Sequence, residues 1–301
     1  MSDATISRSY VETYNDNLKL LSQQMRSKFR EAVDVETGVT GEGLVPVEQV
    51  AAAEMIDITT RYQVKPLVET VHDRRWVYPV HKGWGDIIDN IDKLKINVGL
   101  EGKYTKTGMA AGNRSIDDEI IGKFFATALT GRSGGTSTTF PSANQVAVAT
   151  GAAAATGMNV KKLLTARENI LDGDVDIDMP DNQLYCGISP KQEHELLEQV
   201  KVVSTDYQKE AVLSGDGKTL QSWFGISFIV STRLDVDGSS YRRCPFWSKC
   251  GMNLSIWQDL TGDISKRTDL NLNPHHISVN ASFGATRTEE AKVMEIKCSE
   301  A

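Results

Sequence analysis

Residues 110–131 read AAGNRSIDDEIIGKFFATALTG, and the class of fold turns on this stretch. Ser115 is a good N-cap. Asp117, Asp118 and Glu119 fill the turn after it, where free N–H groups and the helix dipole favour negative charge. Ile120, Ile121, Phe124, Phe125, Ala128 and Leu129 make one broad apolar face, and Gly131 ends the pattern. The spacing predicts a helix from about 115 to 130. A preceding piece from Asn97 to Gly112 extends it into a long spine, although Gly99, Gly102, Gly108 and Gly112 each weaken a helix.

Toward the C-terminus, GRSGGTSTT at 131–139 reads as a flexible loop and a boundary between lobes. Helices are predicted at Val160–Leu171 and at Pro190–Gln199, the second with proline at its first position. Strands are predicted at Gln183–Ile188, Trp223–Ser231, Arg243–Trp247, Leu254–Gln258, Ile277–Phe283 and Lys292–Lys297. Helices thus alternate irregularly with hairpin-spaced strands, which gives an α+β class rather than a doubly wound sheet. No internal repeat of fixed period is present.

Toward the N-terminus, Val11, Tyr14, Leu18, Leu21, Met25, Phe29 and Val33 recur at steps of three or four, and the spacing predicts an amphipathic helix over 9–33. It packs either on its own domain or along a neighbouring subunit. The glycine-rich break at 37–43 favours the second by letting the helix swing away. Ala53–Val64 (AEMIDITTRYQV) and Trp76–His81 (WVYPVH) read as two strands of a long antiparallel ribbon. An isolated ribbon is marginal in water, so it needs a surface on its own domain or on the next subunit. Trp84–Ile96 reads as a helical turn and connector.

A chain of 301 residues, 40% hydrophobic, supports a sizeable core in two lobes or one elaborated domain. A net charge of −7 argues against a protein whose main work is gripping nucleic-acid phosphates. Cys186, Cys244, Cys250 and Cys298 show no zinc spacing, and all four are expected to be reduced. The first residues lack the pattern of a signal peptide, and no run is long and apolar enough to span a bilayer; a soluble protein made in the cytoplasm is expected.

Motifs that carry chemistry fail one by one. GDGKT at 215–219 resembles the end of a phosphate loop, but Val212 stands where glycine is needed and a strand follows instead of a helix. Asp172, Asp174, Asp176 and Asp178 alternate like a calcium loop, but Ile177 replaces the turning glycine and Gln183 the bidentate glutamate. His194 starts a zinc-protease pattern without its second histidine, and His275 and His276 lack supporting ligands. No G-x-S-x-G elbow occurs. No catalytic residue, metal ligand or cofactor site is expected. Arg74 and Arg75 beside Trp76 read as ion-pair partners at an interface rather than as a nucleic-acid patch.

Four blocks carry a resemblance: 85–96 (GDIIDNIDKLKI), 110–131, 241–267 (YRRCPFWSKCGMNLSIWQDLTGDISKR) and 283–298 (FGATRTEEAKVMEIKC). In their order the chain resembles the tailed-phage major capsid family. The resemblance implies the Hong Kong 97 capsid fold: an N-terminal arm at 1–50, an E-loop hairpin at 51–85, a P-domain with spine helix at 86–139 and 261–301, and an A-domain at 140–260. It implies no enzyme but a shell subunit, building hexamers and pentamers of an icosahedral head around double-stranded DNA. Implied contacts between subunits are Leu18, Leu21, Met25 and Phe29 of the arm, and Val64, Leu67, Val68, Arg74, Arg75, Trp76 and Tyr78 of the ribbon. Implied partners are other copies of the chain, a portal, scaffolding or decoration proteins, and DNA held without sequence preference, with no membrane. Assembly in the host cytoplasm and residence in the virion are expected. A cellular cargo shell of the encapsulin type, a tail or portal component and a nucleotide-binding enzyme are the competing readings.

Overall fold

The computed structural model describes residues 20–41, 45–65, 67–89, 100–199 and 222–300. Strands β1 (Asp34–Thr37), β2 (Val45–Val50), β3 (His72–Val77) and β4 (Val80–Ile88) precede helix α1 (Leu100–Phe124). Then come β5 (Ala128–Thr130), β6 (Thr136–Thr138), β7 (Gln145–Val146), α2 (Val160–Asp172), β8 (Leu184–Ile188) and α3 (Pro190–Leu197). The remaining strands are β9 (Ser222–Trp223), β10 (Ile226–Val230), β11 (Arg242–Ser248), β12 (Met252–Lys266), β13 (His275–Arg287) and β14 (Val293–Cys298). They form three sheets, ordered β1-β12-β13-β4, β7-β14-β11-β8-β10-β9 and β2-β3-β5-β6. The class is α+β, as the irregular alternation predicts.

The chain divides into two compact units. The smaller comprises Met1–Arg26, His81–Ser115 and Gln258–Ala281. Its core joins Ile88 and Ile277, with Trp84 and Tyr104 packed against them. Helix α1 runs unbroken through Ser115, so that serine is no N-cap and the long spine is real. Two of the glycines that weaken it, Gly108 and Gly112, have a packing role. A Cβ on Gly108 would sit 2.5 Å from the Trp84 ring, and one on Gly112 would collide with the Leu260 side chain. Close approach therefore offsets their cost of about 1 kcal/mol each. Residues 84–88, predicted as a helical turn, belong to β4 instead, where alternation turns Trp84, Asp86 and Ile88 inward. The rest of that predicted element, 90–96, lies outside the described residues.

The larger unit comprises Ser27–Val80, Ile116–Trp257 and Ser282–Ala301. In its six-stranded sheet β11 pairs antiparallel with both β14 (Phe246↔Met294) and β8 (Phe246↔Cys186), and β8 runs parallel to β10. Trp247 centres the core. Its ring stacks on Phe29 at 5.8 Å and on Tyr185 at 5.8 Å, lies 4.7 Å from Phe124, and its indole N–H donates to the Ala32 carbonyl at 2.8 Å. Helix α1 stops at Phe124, short of the predicted 130, because Ala128–Thr130 pair with β3 and β6 as a strand. Helix α3 begins as predicted, with Pro190 at its start and a reciprocal Ser189–Gln192 capping box.

The amphipathic helix over 9–33 is not what the structure contains at 20–33. Those residues form only a 3-10 turn at Arg30–Ala32. The buried Asp117 carboxylate, on α1, accepts from the Ser27 hydroxyl at 2.6 Å, the Lys28 amide at 3.0 Å and the Phe29 amide at 3.2 Å. These donors are thereby withdrawn from a helix, and Asp34–Thr37 continue as a strand parallel to β12. Residues 9–19 lie outside the described part. Replacing Asp117 by alanine leaves three buried or half-buried donors without an acceptor. Urea denaturation should show a loss of about 3 kcal/mol, with faster tryptic cleavage after Arg26 and Lys28.

Candidate assembly surface

Strands β2 and β3 pair antiparallel from Val45↔Val77 to Val50↔His72, and the Ala51 amide adds one more bond to the Val71 carbonyl at 2.9 Å. Beyond that the ladder ends. The predicted strand at Ala53–Val64 is absent: residues 51–71 form no strand among those described, and the Thr59 amide only closes a turn onto the Gln63 side chain at 3.1 Å. Two strands of this length have no core to hold them together, so the chain opens out. Every described residue from 51 to 69 is exposed. Met55 is 101% exposed, Ile58 73%, Tyr62 95%, Val64 86% and Leu67 97%. Each such side chain forgoes about 1.5–3 kcal/mol of burial. An apolar run of this kind marks a contact surface.

The base of the ribbon is held firmly. Arg75 is buried and bonds the Thr288 carbonyl at 2.8 Å and the Glu290 carboxylate at 2.6 Å. The Gln49 amide of β2 reaches the same Thr288 carbonyl at 2.5 Å. Trp76 donates its indole N–H to the Gly131 carbonyl at 2.6 Å, and Arg74 pairs across the strands with Glu48 at 2.7 Å.

The eleven expected contact residues therefore separate. Leu18 lies outside the described residues. Leu21 (89% exposed), Met25, Val64, Leu67, Val68 and Tyr78 are open to solvent. Phe29 and Arg75 are buried in their own chain, Phe29 against Trp247 and Arg75 against Thr288 and Glu290. Arg74 and Trp76 are half-buried at the ribbon base. The exposed Met55, Ile56, Ile58 and Tyr62 were not among the expected contacts. Read as a strand, their segment conceals them, whereas their apolar character beside so few partners is the signal.

Several titratable groups are tied into the packing. Lys162 is buried and gives its ammonium to the carbonyls of Thr156, Gly157 and Lys297 at 2.8, 2.9 and 2.8 Å. Burial lowers its pKa, while Cys298, Cys244 and Glu195 raise it. All four cysteines are free thiols, three of them buried. Burial pushes the Cys186 thiol well up, and a hydrogen bond with Cys298 does so for Cys244, so neither supplies a thiolate nucleophile. Among the described residues no three His, Cys, Asp or Glu side chains gather as a metal site, and no helix is long and apolar enough to cross a membrane.

A family model described as phage capsid protein matches residues 6–300. The chain belongs to the phage capsid protein family. As a capsid protein it is a component of the virion, and its fold is of the Hong Kong 97 type. It is similar to the capsid protein of cyanophage P-SCSP1u, at 13% identity and a TM-score of 0.71, over 98% of this chain and 95% of that one. Against the capsid of Ralstonia phage GP4 the values are 10% and 0.71, over 96% and 95%. Against that of cyanophage Pam1 they are 10% and 0.71, over 98% of each chain. No curated protein matches.

One ion pair of this capsid protein sets a pH limit. Arg242 grips Glu300 with two bonds of 2.9 Å, and this contact chiefly holds the Glu300 carboxyl at about 2, below its ordinary 4.5. A depressed carboxyl stabilises the fold fully above the ordinary value, and the gain is lost as pH falls from there through the folded value. Glu300→Gln should cost about 1 kcal/mol at neutral pH, as for a screened pair. In acid titrations followed by circular dichroism, the difference from the parent should vanish between pH 4.5 and about 2.

Proposed function

We propose that this protein is the major capsid protein of a tailed phage. Copies join by heterologous contacts that close into hexamers and pentamers, and these tile an icosahedral head around double-stranded DNA. The observation that carries the reading is the length of chain at 51–71, whose described large apolar side chains are about half exposed or more. In the shell this E-loop lies on the neighbouring subunit, which supplies the surface it lacks. Modest contacts suffice, because each subunit engages several neighbours at once.

The remaining parts take their places accordingly. The arm is 1–50, and the E-loop is 51–85, with its root in the pairing of β2 and β3. Spine helix α1 falls in the P-domain at 86–139 and 261–301. Helices α2 and α3 and strands β7 to β11 fall in the A-domain at 140–260. The protein acts by shape rather than by catalysis. It assembles in the host cytoplasm and meets a portal and scaffolding or decoration proteins. A net charge of −7 suits a wall that surrounds DNA without holding it, since the genome must leave.

Ile58→Asp and Leu67→Asp separate assembly from folding. Both side chains are exposed, so the melting of the unassembled chain should shift by no more than about 0.5 kcal/mol equivalent. Closed shells, followed by sedimentation velocity and negative-stain images, should disappear. Shells of normal size and yield from both variants would overturn the proposal.

A further inference from the structure

The ribbon base rests on a cluster of charges that is costly by ordinary standards. Arg75 and Arg287 are 5% and 1% exposed, and one carboxylate serves both. Glu290 accepts from Arg75 at 2.6 Å through one oxygen and from Arg287 at 3.4 Å through the other. Arg287 also holds the carbonyls of Phe124 and Ala126 at 2.8 and 3.0 Å, so the negative end of α1 offsets part of the excess positive charge. Burial lowers the Arg287 pKa, and Glu290 opposes this. Even so, Arg75 Nη1 and Arg287 Nε are buried without a hydrogen-bond partner. Buried ion pairs generally recover little more than their desolvation, and apolar side chains of equal volume often hold a structure as well.

Direction is what such a cluster supplies and apolar packing does not. A guanidinium is a rigid planar fork, and Arg75 uses it to engage the Thr288 carbonyl and the Glu290 carboxylate together. Greasy contacts permit a strand to slide or rotate by a few degrees at small cost. Residues 51–69 are exposed along their whole described length, so the direction of the ribbon is decided at its base. We infer that Arg75, fixed by Glu290 and Arg287, is a positioning residue that sets the angle at which the ribbon leaves its unit and, through that angle, the uniformity of the shell. The second half of this statement rests on the capsid reading above; the first does not.

Arg75→Lys keeps the charge and removes the fork. In the unassembled chain, with Cys250 replaced by serine, spin labels at Glu69→Cys and Glu168→Cys report the ribbon angle as a distance distribution. The lysine variant should broaden it about twofold while the melting curve stays cooperative, because an ammonium cannot hold both acceptors in one geometry. Shells assembled from Arg75→Lys should spread over several diameters. Arg75→Met, which removes the fork and leaves Glu290 paired with Arg287, should show the same two effects. An unchanged distance distribution overturns the inference, and so does a lysine variant that fails to fold, since the cluster would then be a plain stabilising element. If the parent forms no shells, the capsid reading fails and the distance measurement still decides the role of Arg75. Broadening with uniform shells would sever the angle from assembly and overturn the second half.

Discussion

The packing around Trp247 is the contact on which the larger unit depends. Its ring receives Phe29 from the N-terminal segment, Phe124 from the end of α1 and Tyr185 from β8, and its indole N–H holds the Ala32 carbonyl. Four pieces of chain far apart in sequence thus share one apolar centre. Buried aromatic pairs of this kind contribute about 0.5–1.5 kcal/mol each beyond the area they remove from water. Asp117 adds a polar anchor beside it, and the two together decide the course of residues 27–33. Strand β1 begins directly after that segment and owes its place beside β12 to it.

Against this dense centre stands a ribbon whose outer part packs on nothing described. The contrast is functional. A shell subunit needs a body stiff enough to repeat its shape in every copy and an extension whose apolar side chains remain available until a neighbour arrives. Several of the body's polar groups are spent internally. Lys162 fills its donors with carbonyls, three of the four thiols are buried, and Glu300 is gripped by Arg242. The apolar side chains at 55–67, by contrast, are exposed.

The legible parts of the sequence are those where local rules and the fold agree. The Pro190 start, the helix at 160–171 and the strand at 184–188 stand close to where pattern and capping put them. The stretch at 115–124 is helical, yet its N-cap signal misleads, because Gly108 and Gly112 are tolerated for the approach of Trp84 and Leu260. The stripe from Leu18 to Val33 has helical spacing, but the Asp117 carboxylate takes the donors of Ser27, Lys28 and Phe29. Of the candidate contacts, Val64 and Leu67 are exposed and Phe29 and Arg75 are buried, since an apolar or charged residue carries no label for which copy will bury it.

By itself the sequence determined the class, the family and the absence of a recognisable catalytic pattern, since these rest on composition, spacing and long blocks of likeness. It also led to the expectation that the ribbon needs a further surface, because an isolated two-stranded ribbon is marginal in water. Only the tertiary structure decided where the ribbon is rooted. Arg75 meets Glu290 and Thr288 across more than two hundred residues of chain, and a pairing of that range is set by packing and topology, not by any local pattern.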